Sequence, residues 1–239
     1  MDLPPPPPLA DLAARQTIAL FLDFDGTLVD LASAPDQIKT PPDLMQNLQR
    51  LHQNLDGRLA IITGRSLADL DGFLGPNDIP VVGSHGAEYR GAPLPKRPLS
   101  LASLQSVAKL HEKIPALFIE HKPYGLAVHY RQEPAAASRV YKVMEKIAAF
   151  EKLAIKPGKM LVEIGPSTAN KGSAVTNLMR TVPFVGSMPI FIGDDLTDED
   201  GFRAVCALKG LAILVGSQRA SAAFFRLPGP SDVRTWLSV

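Results

Sequence analysis

The chain has 239 residues, of which 46% are hydrophobic, so it can bury a sizeable core as one large domain or as a core with a second, smaller domain. Its 25 basic and 24 acidic side chains nearly balance, which gives no electrostatic reason to expect nucleic acid or an anionic membrane as a partner. The single cysteine, Cys206, excludes an intramolecular disulfide, and no apolar stretch reaches the roughly 18 residues of a membrane span. The N-terminus lacks the basic start and apolar core of a signal peptide, so the cytoplasm is the default expectation. We also expect a monomer.

A run of five prolines occupies residues 4–8. Proline tracts form stiff polyproline helices without internal hydrogen bonds, so we expect this segment to have no packed structure of its own. The run could be a ligand for a proline-binding module, but a tail or spacer over residues 1–15 is the preferred interpretation.

Apolar runs and helical periodicities alternate in two parts of the chain, 16–90 and 166–239. The first part contains short apolar runs at 18–22, 59–62 and 79–82, separated by helical stretches, one of which has leucines at 44, 48, 51 and 55. The second part reads as helix 170–180, strand 189–193, helix 197–207 and strand 211–215. This alternation predicts an α/β fold with a doubly wound, Rossmann-like parallel sheet.

The pattern changes between residues 91 and 165. A proline-rich linker at 91–98 is followed by a helical pattern from Leu101 to Ile114, and then by two strands around a turn at Pro123-Tyr124-Gly125. A helix over 134–150 and a strand over 161–164 complete the segment. This order predicts an α+β cap domain inserted into the α/β core.

Acidic side chains follow the first strand of the core. Asp23 and Asp25 are two positions apart, so both would point the same way from a strand, and Gly26 permits a sharp bend after them. Such a pair can divide labour, with one carboxylate attacking and the other giving and taking protons. The alternative is a solvated Asp-Gly turn.

A second acidic cluster, with Asp194, Asp195 and Asp198, follows the strand at 189–193. The carboxyl ends of parallel strands converge where open α/β sheets bind ligands, and crowded carboxylates repel one another unless a cation neutralises them. Oxygen ligands without a nearby thiolate favour Mg²⁺. Helix capping could explain some of these acids, whereas Asp194 precedes the helix and is freer to bind metal.

Two further side chains could contact a phosphate. Thr63 ends the strand at 59–62, where its hydroxyl and the free N–H groups beside it could bind a phosphate oxygen; the alternative is an N-cap for the next helix. Lys171 opens the helix at 170–180, where its ammonium could balance phosphate charge; the alternative is an ordinary exposed lysine.

Taken together, these motifs resemble those of the haloacid dehalogenase superfamily of phosphohydrolases. The matching residues are Asp23-Phe24-Asp25-Gly26-Thr27, Thr63, Lys171, and Gly193-Asp194-Asp195 with Asp198. The resemblance implies that Asp23 is the nucleophile that forms an aspartyl-phosphate, and that Asp25 protonates the leaving oxygen and then activates water. It also implies that Thr63 and Lys171 hold the phosphoryl group.

The same resemblance implies a Mg²⁺ cofactor. Its ligands would be Asp23, the main-chain carbonyl of Asp25, and Asp194, with Asp198 in support.

Longer segments are similar to the bacterial trehalose-6-phosphate phosphatase family, from about residue 17 to the C-terminus. They are Gly83-Ser84-His85-Gly86-Ala87-Glu88, His129-Tyr130-Arg131, residues 158–164, Asn170-Lys171-Gly172 and residues 193–199. In that family the cap closes over the disaccharide. This implies that the sugar hydroxyls contact Lys122, Arg131, Lys159 and Glu163. An exposed salt bridge on a strand is the alternative for each cap residue, and His85 is either a sugar contact or a hydrogen-bonded loop histidine.

These features favour an enzyme that hydrolyses trehalose 6-phosphate to trehalose and phosphate. A phosphatase of another sugar phosphate would share the same core residues. A non-catalytic sugar-phosphate sensor is a different class, but such a module would lack the nucleophile or the acid, and Asp23, Asp25, Lys171 and Asp194 are all present.

Overall fold

The structure is a computed structural model that describes residues 2–32, 37–75, 77–90, 99–122, 124–167 and 169–239. It divides into two compact units, one formed by Met1–Ala92 with Asn170–Val239 and the other by Pro93–Ala169. The predicted linker at 91–98 and Pro123 of the predicted turn lie outside the described residues. No helix within those ranges combines the length and apolar character needed to cross a bilayer.

Strands and helices alternate along the first unit, whereas the second unit combines helices with pairs of consecutive strands. The strands are β1 (Ile18–Leu22), β2 (Leu59–Ile62), β3 (Val81–Gly83), β4 (Glu88–Tyr89), β5 (Phe118–Lys122), β6 (Gly125–His129), β7 (Ala154–Gly158), β8 (Leu161–Gly165), β9 (Met188–Gly193), β10 (Leu211–Val215) and β11 (Phe225–Leu227). The helices are α1 (Leu9–Arg15), α2 (Leu44–Asn54), α3 (Leu67–Leu74), α4 (Leu101–Lys113), α5 (Ala137–Glu151), α6 (Lys171–Leu178), α7 (Glu199–Ala207) and α8 (Pro230–Leu237).

The first unit is built on a seven-stranded sheet in the order β11-β10-β9-β1-β2-β3-β4. All neighbours are parallel except β3 and β4. The last residue of β1, Leu22, pairs with Ile61 of β2 on one side and with Ile192 of β9 on the other. The sheet therefore grows from β1 to one side with β2 and β3 and to the other side with β9, β10 and β11. Such a topological switch point opens a crevice at the carboxyl ends of the strands.

Helices cover both faces of this sheet because successive side chains of a strand point to opposite sides. Leu20 and Leu22 of β1 join one apolar cluster with residues of α2, α3 and α8, whereas Ala19 and Phe21 join a second cluster with residues of α6 and α7. All four side chains are fully buried. The predicted α/β, doubly wound core is confirmed.

The second unit is an α+β structure with a four-stranded antiparallel sheet in the order β5-β6-β8-β7. Its apolar cluster joins one face of this sheet, including Val128 and Val162, to Val107 of α4 and Met144 of α5. The predicted insertion of an α+β domain is confirmed, and its role as a cap stays a prediction. The sequence did not predict β7, because Lys156 and Pro157 interrupt its apolar pattern.

The expectation that the proline run has no packed structure is wrong. The carbonyl oxygen of Pro4 accepts a hydrogen bond from the backbone N–H of Arg226 (3.0 Å), and that of Pro7 accepts one from Trp236 Nε1 (2.8 Å). Pro6 is buried. Arg226 lies on β11, the edge of the sheet, where an N–H needs an acceptor, and proline supplies a carbonyl although it has no N–H to donate.

Candidate active site

The switch point places Asp23 between two neighbouring strand ends. It directly follows β1, and its backbone N–H donates to the carbonyl of Ile192 at the end of β9 (3.0 Å). Its side chain is almost fully buried, with 5% of its surface exposed, and Oδ1 accepts a hydrogen bond from Lys171 Nζ (2.7 Å). The interpretation of this segment as a solvated turn is therefore wrong for Asp23.

Lys171 is held at the first position of α6. Asn170 caps the helix by accepting from the N–H of Ser173, whose hydroxyl accepts from the N–H of Asn170 in return. The ammonium lies between two carboxylates, at 2.7 Å from Asp23 Oδ1 and 2.6 Å from Asp198 Oδ1. Lys171 is 2% exposed, so the alternative of an ordinary surface lysine is wrong.

Burial is the largest single influence on the pKa values of Asp23 and Lys171. Burial raises the pKa of Asp23 well above its ordinary value, and repulsion from Asp198 and Asp194 adds to the rise. Attraction to the ammonium of Lys171 lowers the pKa of Asp23 without outweighing these causes. Burial lowers the pKa of Lys171, but the two adjacent carboxylates outweigh burial and raise it above its ordinary value. Lys171 therefore stays charged, and its ammonium forms ion pairs with both Asp23 and Asp198.

Asp198 uses both carboxylate oxygens within the protein. Oδ1 accepts from Lys171, and Oδ2 accepts from the backbone N–H groups of Asp194 (3.0 Å) and Asp195 (2.8 Å). Asp195 caps the short 3₁₀ turn that follows by accepting from the N–H of Leu196 (2.7 Å). The interpretation as a helix cap therefore holds for Asp195. Asp198 is buried and holds the backbone that follows β9 by hydrogen bonds.

The side-chain oxygens of Asp23, Asp194 and Asp198 lie within 4.8 Å of one another, a grouping that can hold a cation among the described residues. A Cβ on Gly26 would lie 2.3 Å from Asp194 Oδ2, so only glycine lets the backbone after Asp25 come so close to this carboxylate. Because the available donors are oxygens, the residues fit Mg²⁺. The predicted ligand set of Asp23, Asp194 and the carbonyl of Asp25, with Asp198 in support, stays a prediction.

Thr63 stands at the end of β2, beside the end of β1, and is fully buried. Its hydroxyl oxygen accepts from the N–H of Arg65 (3.2 Å). The N-cap of α3 is Ser66, which accepts from the N–H of Asp69 (3.1 Å), so the alternative of Thr63 as a helix cap is wrong.

His85 is brought to the same strand end. Its backbone N–H donates to the carbonyl of Thr63 (2.9 Å), and its ring lies against Gly64, where a Cβ would be 2.6 Å from His85 Nε2. His85 and Ser84 both have positive φ, at 54° and 46°, in a short 3₁₀ turn after β3. Such backbone strain is often found at functional sites.

Arg65 is a site residue that the sequence analysis missed. Its guanidinium contacts Asp25 at two points, Nε to Oδ2 at 2.7 Å and Nη2 to Oδ1 at 2.8 Å. The only available signal was its position directly after Thr63 and Gly64 at a strand end. The partner of the predicted acid and base is therefore an arginine from the neighbouring strand end.

The second unit brings together some of the predicted sugar contacts. Lys122 Nζ lies 2.6 Å from Glu163 Oε2 and 3.8 Å from Glu120 Oε1. Their exposed side-chain fractions are 10% for Lys122 and 4% for Glu163, so this ion pair is buried and the alternative of an exposed salt bridge does not apply to it.

Arg131 and Lys159 lie at the far end of the same sheet. Arg131 follows β6, and Lys159 is in the turn between β7 and β8. The two turns are adjacent, because the N–H of Tyr130 donates to the carbonyl of Met160 (2.9 Å). The roles of all four residues stay predictions.

A mainly parallel sheet with buried carboxylates and a lysine at its switch point, interrupted in sequence by an α+β unit, is the fold found in solved phosphatases of the haloacid dehalogenase superfamily. A solved phosphatase of this superfamily from Bacteroides thetaiotaomicron shares the fold with a TM-score of 0.61 at 16% identity, over 94% of each chain.

The Trehalose-phosphatase sequence family matches residues 21–231, and the chain belongs to this family. The curated trehalose-6-phosphate phosphatase of Escherichia coli (strain K12) is 38% identical over 229 residues, which are 92% of this chain and 85% of that protein. The C-terminal domain of C. albicans trehalose-6-phosphate phosphatase superimposes with a TM-score of 0.81 at 22% identity, covering 99% of this chain and 97% of that one.

Proposed function

We propose that this chain is a Mg²⁺-dependent phosphatase that hydrolyses trehalose 6-phosphate to trehalose and phosphate through an aspartyl-phosphate on Asp23. The observation that carries the proposal is the Lys171 ammonium between Asp23 Oδ1 and Asp198 Oδ1 at the switch point. Membership in the Trehalose-phosphatase family supports the choice of substrate.

In the first step, a carboxylate oxygen of Asp23 attacks phosphorus. A bond forms between Asp23 and phosphorus while the bond from phosphorus to the sugar oxygen breaks, and Asp25 gives its proton to that oxygen. Lys171, which also donates to Asp23 Oδ1, and Thr63 would hold the phosphoryl group. When bound, Mg²⁺ would neutralise the negative charge that develops on the phosphoryl group.

In the second step, Asp25 takes a proton from water as the water oxygen bonds to phosphorus. The bond between Asp23 and phosphorus breaks, inorganic phosphate leaves, and Asp25 is again protonated for the next turnover. The two-point contact with Arg65 would orient the Asp25 carboxylate for both transfers.

Specificity is proposed to come from the second unit. Phosphoryl groups are alike in all sugar phosphates, so discrimination must come from the sugar. Lys122 and Glu163 present charged donors and acceptors on its antiparallel sheet, and Arg131 and Lys159 are further proposed contacts of this unit. His85 is a proposed contact from the first unit. A sugar that lacks the matching hydroxyls would not form the hydrogen bonds that these charged groups offer.

The test is phosphate release from trehalose 6-phosphate, glucose 6-phosphate, sucrose 6-phosphate and p-nitrophenyl phosphate, with Mg²⁺ and with excess EDTA. We expect the highest kcat/KM for trehalose 6-phosphate, loss of activity with EDTA, and recovery with Mg²⁺. Asp23→Asn should abolish turnover and the covalent adduct. Asp56→Asn is the matched control, because Asp56 is 80% exposed. Preference for another sugar phosphate would favour the alternative substrate, and full turnover by Asp23→Asn would refute the mechanism.

A further inference from the structure

The backbone that carries Asp194 is held from two sides. On one side, Asp198 Oδ2 accepts from the N–H groups of Asp194 and Asp195. On the other side, Arg219 Nη2 donates to the carbonyl oxygen of Asp195 (2.8 Å) and contacts that of Asp194 (3.4 Å). Both peptide groups at the end of β9 are therefore fixed by side chains, one an anion and the other a cation.

Arg219 is itself anchored. It lies in the connection between β10 and β11, and its Nη1 donates to a carboxylate oxygen of Glu199 and to the carbonyl of Ala220 (3.1 Å). The other oxygen of Glu199 accepts from the N–H of Ala222 (2.9 Å). Glu199 is 7% exposed, whereas the Arg219 side chain is 24% exposed, so the ion pair is partly shielded from water.

We propose that Arg219 is a positioning residue that sets the affinity of the site for Mg²⁺ without touching the metal. The inference rests on the proposed function, in which Asp194 is a ligand. The direction of the Asp194 carboxylate depends on the orientation of its own peptide group, and Arg219 and Asp198 both contact the backbone there. Groups that orient metal ligands typically change metal affinity or activity about 10–100-fold when they are replaced.

The test is a calorimetric titration of Mg²⁺ into substrate-free protein, with the Mg²⁺-induced rise of the unfolding temperature as a second readout. Arg219→Gln should bind Mg²⁺ about 10–100-fold more weakly. Arg219→Lys should be intermediate, because an ammonium keeps the charge but cannot span Glu199 and the backbone carbonyls in the same fork. The matched control is Arg203→Gln, which removes an exposed ion pair with Asp200 on α7 and should leave Mg²⁺ binding unchanged.

A merely structural role predicts a different result: Arg219→Gln would unfold at a lower temperature but keep the wild-type Mg²⁺ affinity, and this would overturn the inference. If Arg219→Gln does not fold, Glu199→Gln replaces it, since its amide still accepts from Ala222 and only the ion pair is lost. Wild-type Mg²⁺ affinity in Glu199→Gln would then overturn the inference, and weaker binding would support it. Failure of the wild-type protein to release phosphate from trehalose 6-phosphate would instead count against the proposed function.

Discussion

Arg65 and Asp25 form a two-point ion pair between neighbouring strand ends, with Nε–Oδ2 and Nη2–Oδ1 distances of 2.7 and 2.8 Å. The guanidinium also stacks over the ring of Phe73, 4.6 Å from its centre, and Phe73 packs against Phe24. Arg65 is thus fixed by α3 and in turn fixes the carboxylate that is proposed to transfer protons. The planar guanidinium of arginine, which donates two parallel hydrogen bonds, suits this task better than the ammonium of a lysine.

Arg65→Gln is expected to slow the reaction most for poor leaving groups. For a two-step phosphatase, kcat/KM reports only the steps through the first phosphoryl transfer, where Asp25 protonates the leaving oxygen. Loss of a charged hydrogen bond costs about 1.5–3 kcal/mol, so kcat/KM for phenyl phosphate should fall roughly 10–150-fold. The measurement is the ratio of kcat/KM for phenyl phosphate to that for p-nitrophenyl phosphate, and this ratio should decrease.

The double variant Asp25→Asn/Arg65→Gln separates positioning from folding. If Arg65 acts through Asp25, adding Arg65→Gln to Asp25→Asn should cause little further loss. Equal losses for both aryl phosphates in the single variant would instead show that Arg65 serves only the fold or the phosphate.

Gly26→Ala is expected to abolish activity, whereas Gly186→Ala is expected to leave it intact. Both glycines have φ near +80°, so an alanine should cost each about 1–2 kcal/mol of backbone strain. Only at Gly26 would the new Cβ meet the carboxylate of Asp194, since a Cβ at Gly186 has no atom within 4 Å. Urea unfolding and phosphate release on the two variants check this. Similar activity losses in both would remove the argument that the close approach is required.

Glu163→Gln is expected to impair trehalose 6-phosphate hydrolysis selectively. Removal of one charged hydrogen bond to the sugar should lower kcat/KM by roughly 10–150-fold, while p-nitrophenyl phosphate, which has no sugar hydroxyls, should change much less. Glu112→Gln on the exposed side of α4 is the control. A parallel fall for both substrates would mean that Glu163 acts through folding, and no fall would mean that it does not contact the sugar.

Glu120 is expected to contribute a pH-dependent part of the stability. Burial raises its pKa, but the hydrogen bond to His129 and the charge of Lys122 outweigh burial and leave the pKa below its ordinary value. A carboxyl group whose folded-state pKa is lowered stabilises the fold above its unfolded pKa of about 4.3, and this stabilisation is lost as pH falls.

Glu120→Gln should therefore lower the free energy of unfolding at pH 7 by about 1–3 kcal/mol, with a smaller difference at pH 4. Urea unfolding of both proteins at each pH measures this. A difference that stays constant or grows as the pH falls would contradict the assignment.

Much of the core follows from local sequence pattern. The apolar runs at 18–22 and 59–62 form β1 and β2 with the predicted bounds, because strands buried on both faces need continuous apolar side chains. The short strand β7 was not predictable in this way, since its polar residues become a strand only when β8 supplies the pairing edge. The proline run likewise gains its packing from distant segments, through Arg226 on β11 and Trp236 on α8.

The sequence by itself determined which side chains stand at the strand ends, because strand length, the following turn and the helix start are properties of consecutive residues. Only the tertiary structure decided their partners. Lys171 reaches Asp23 across 148 positions, Arg65 reaches Asp25 across 40, and Arg219 reaches Glu199 across 20. Ion pairs and hydrogen bonds act over a few ångströms, so they form only where the sheet and its helices bring distant segments together. A local sequence pattern does not predict which distant segments meet.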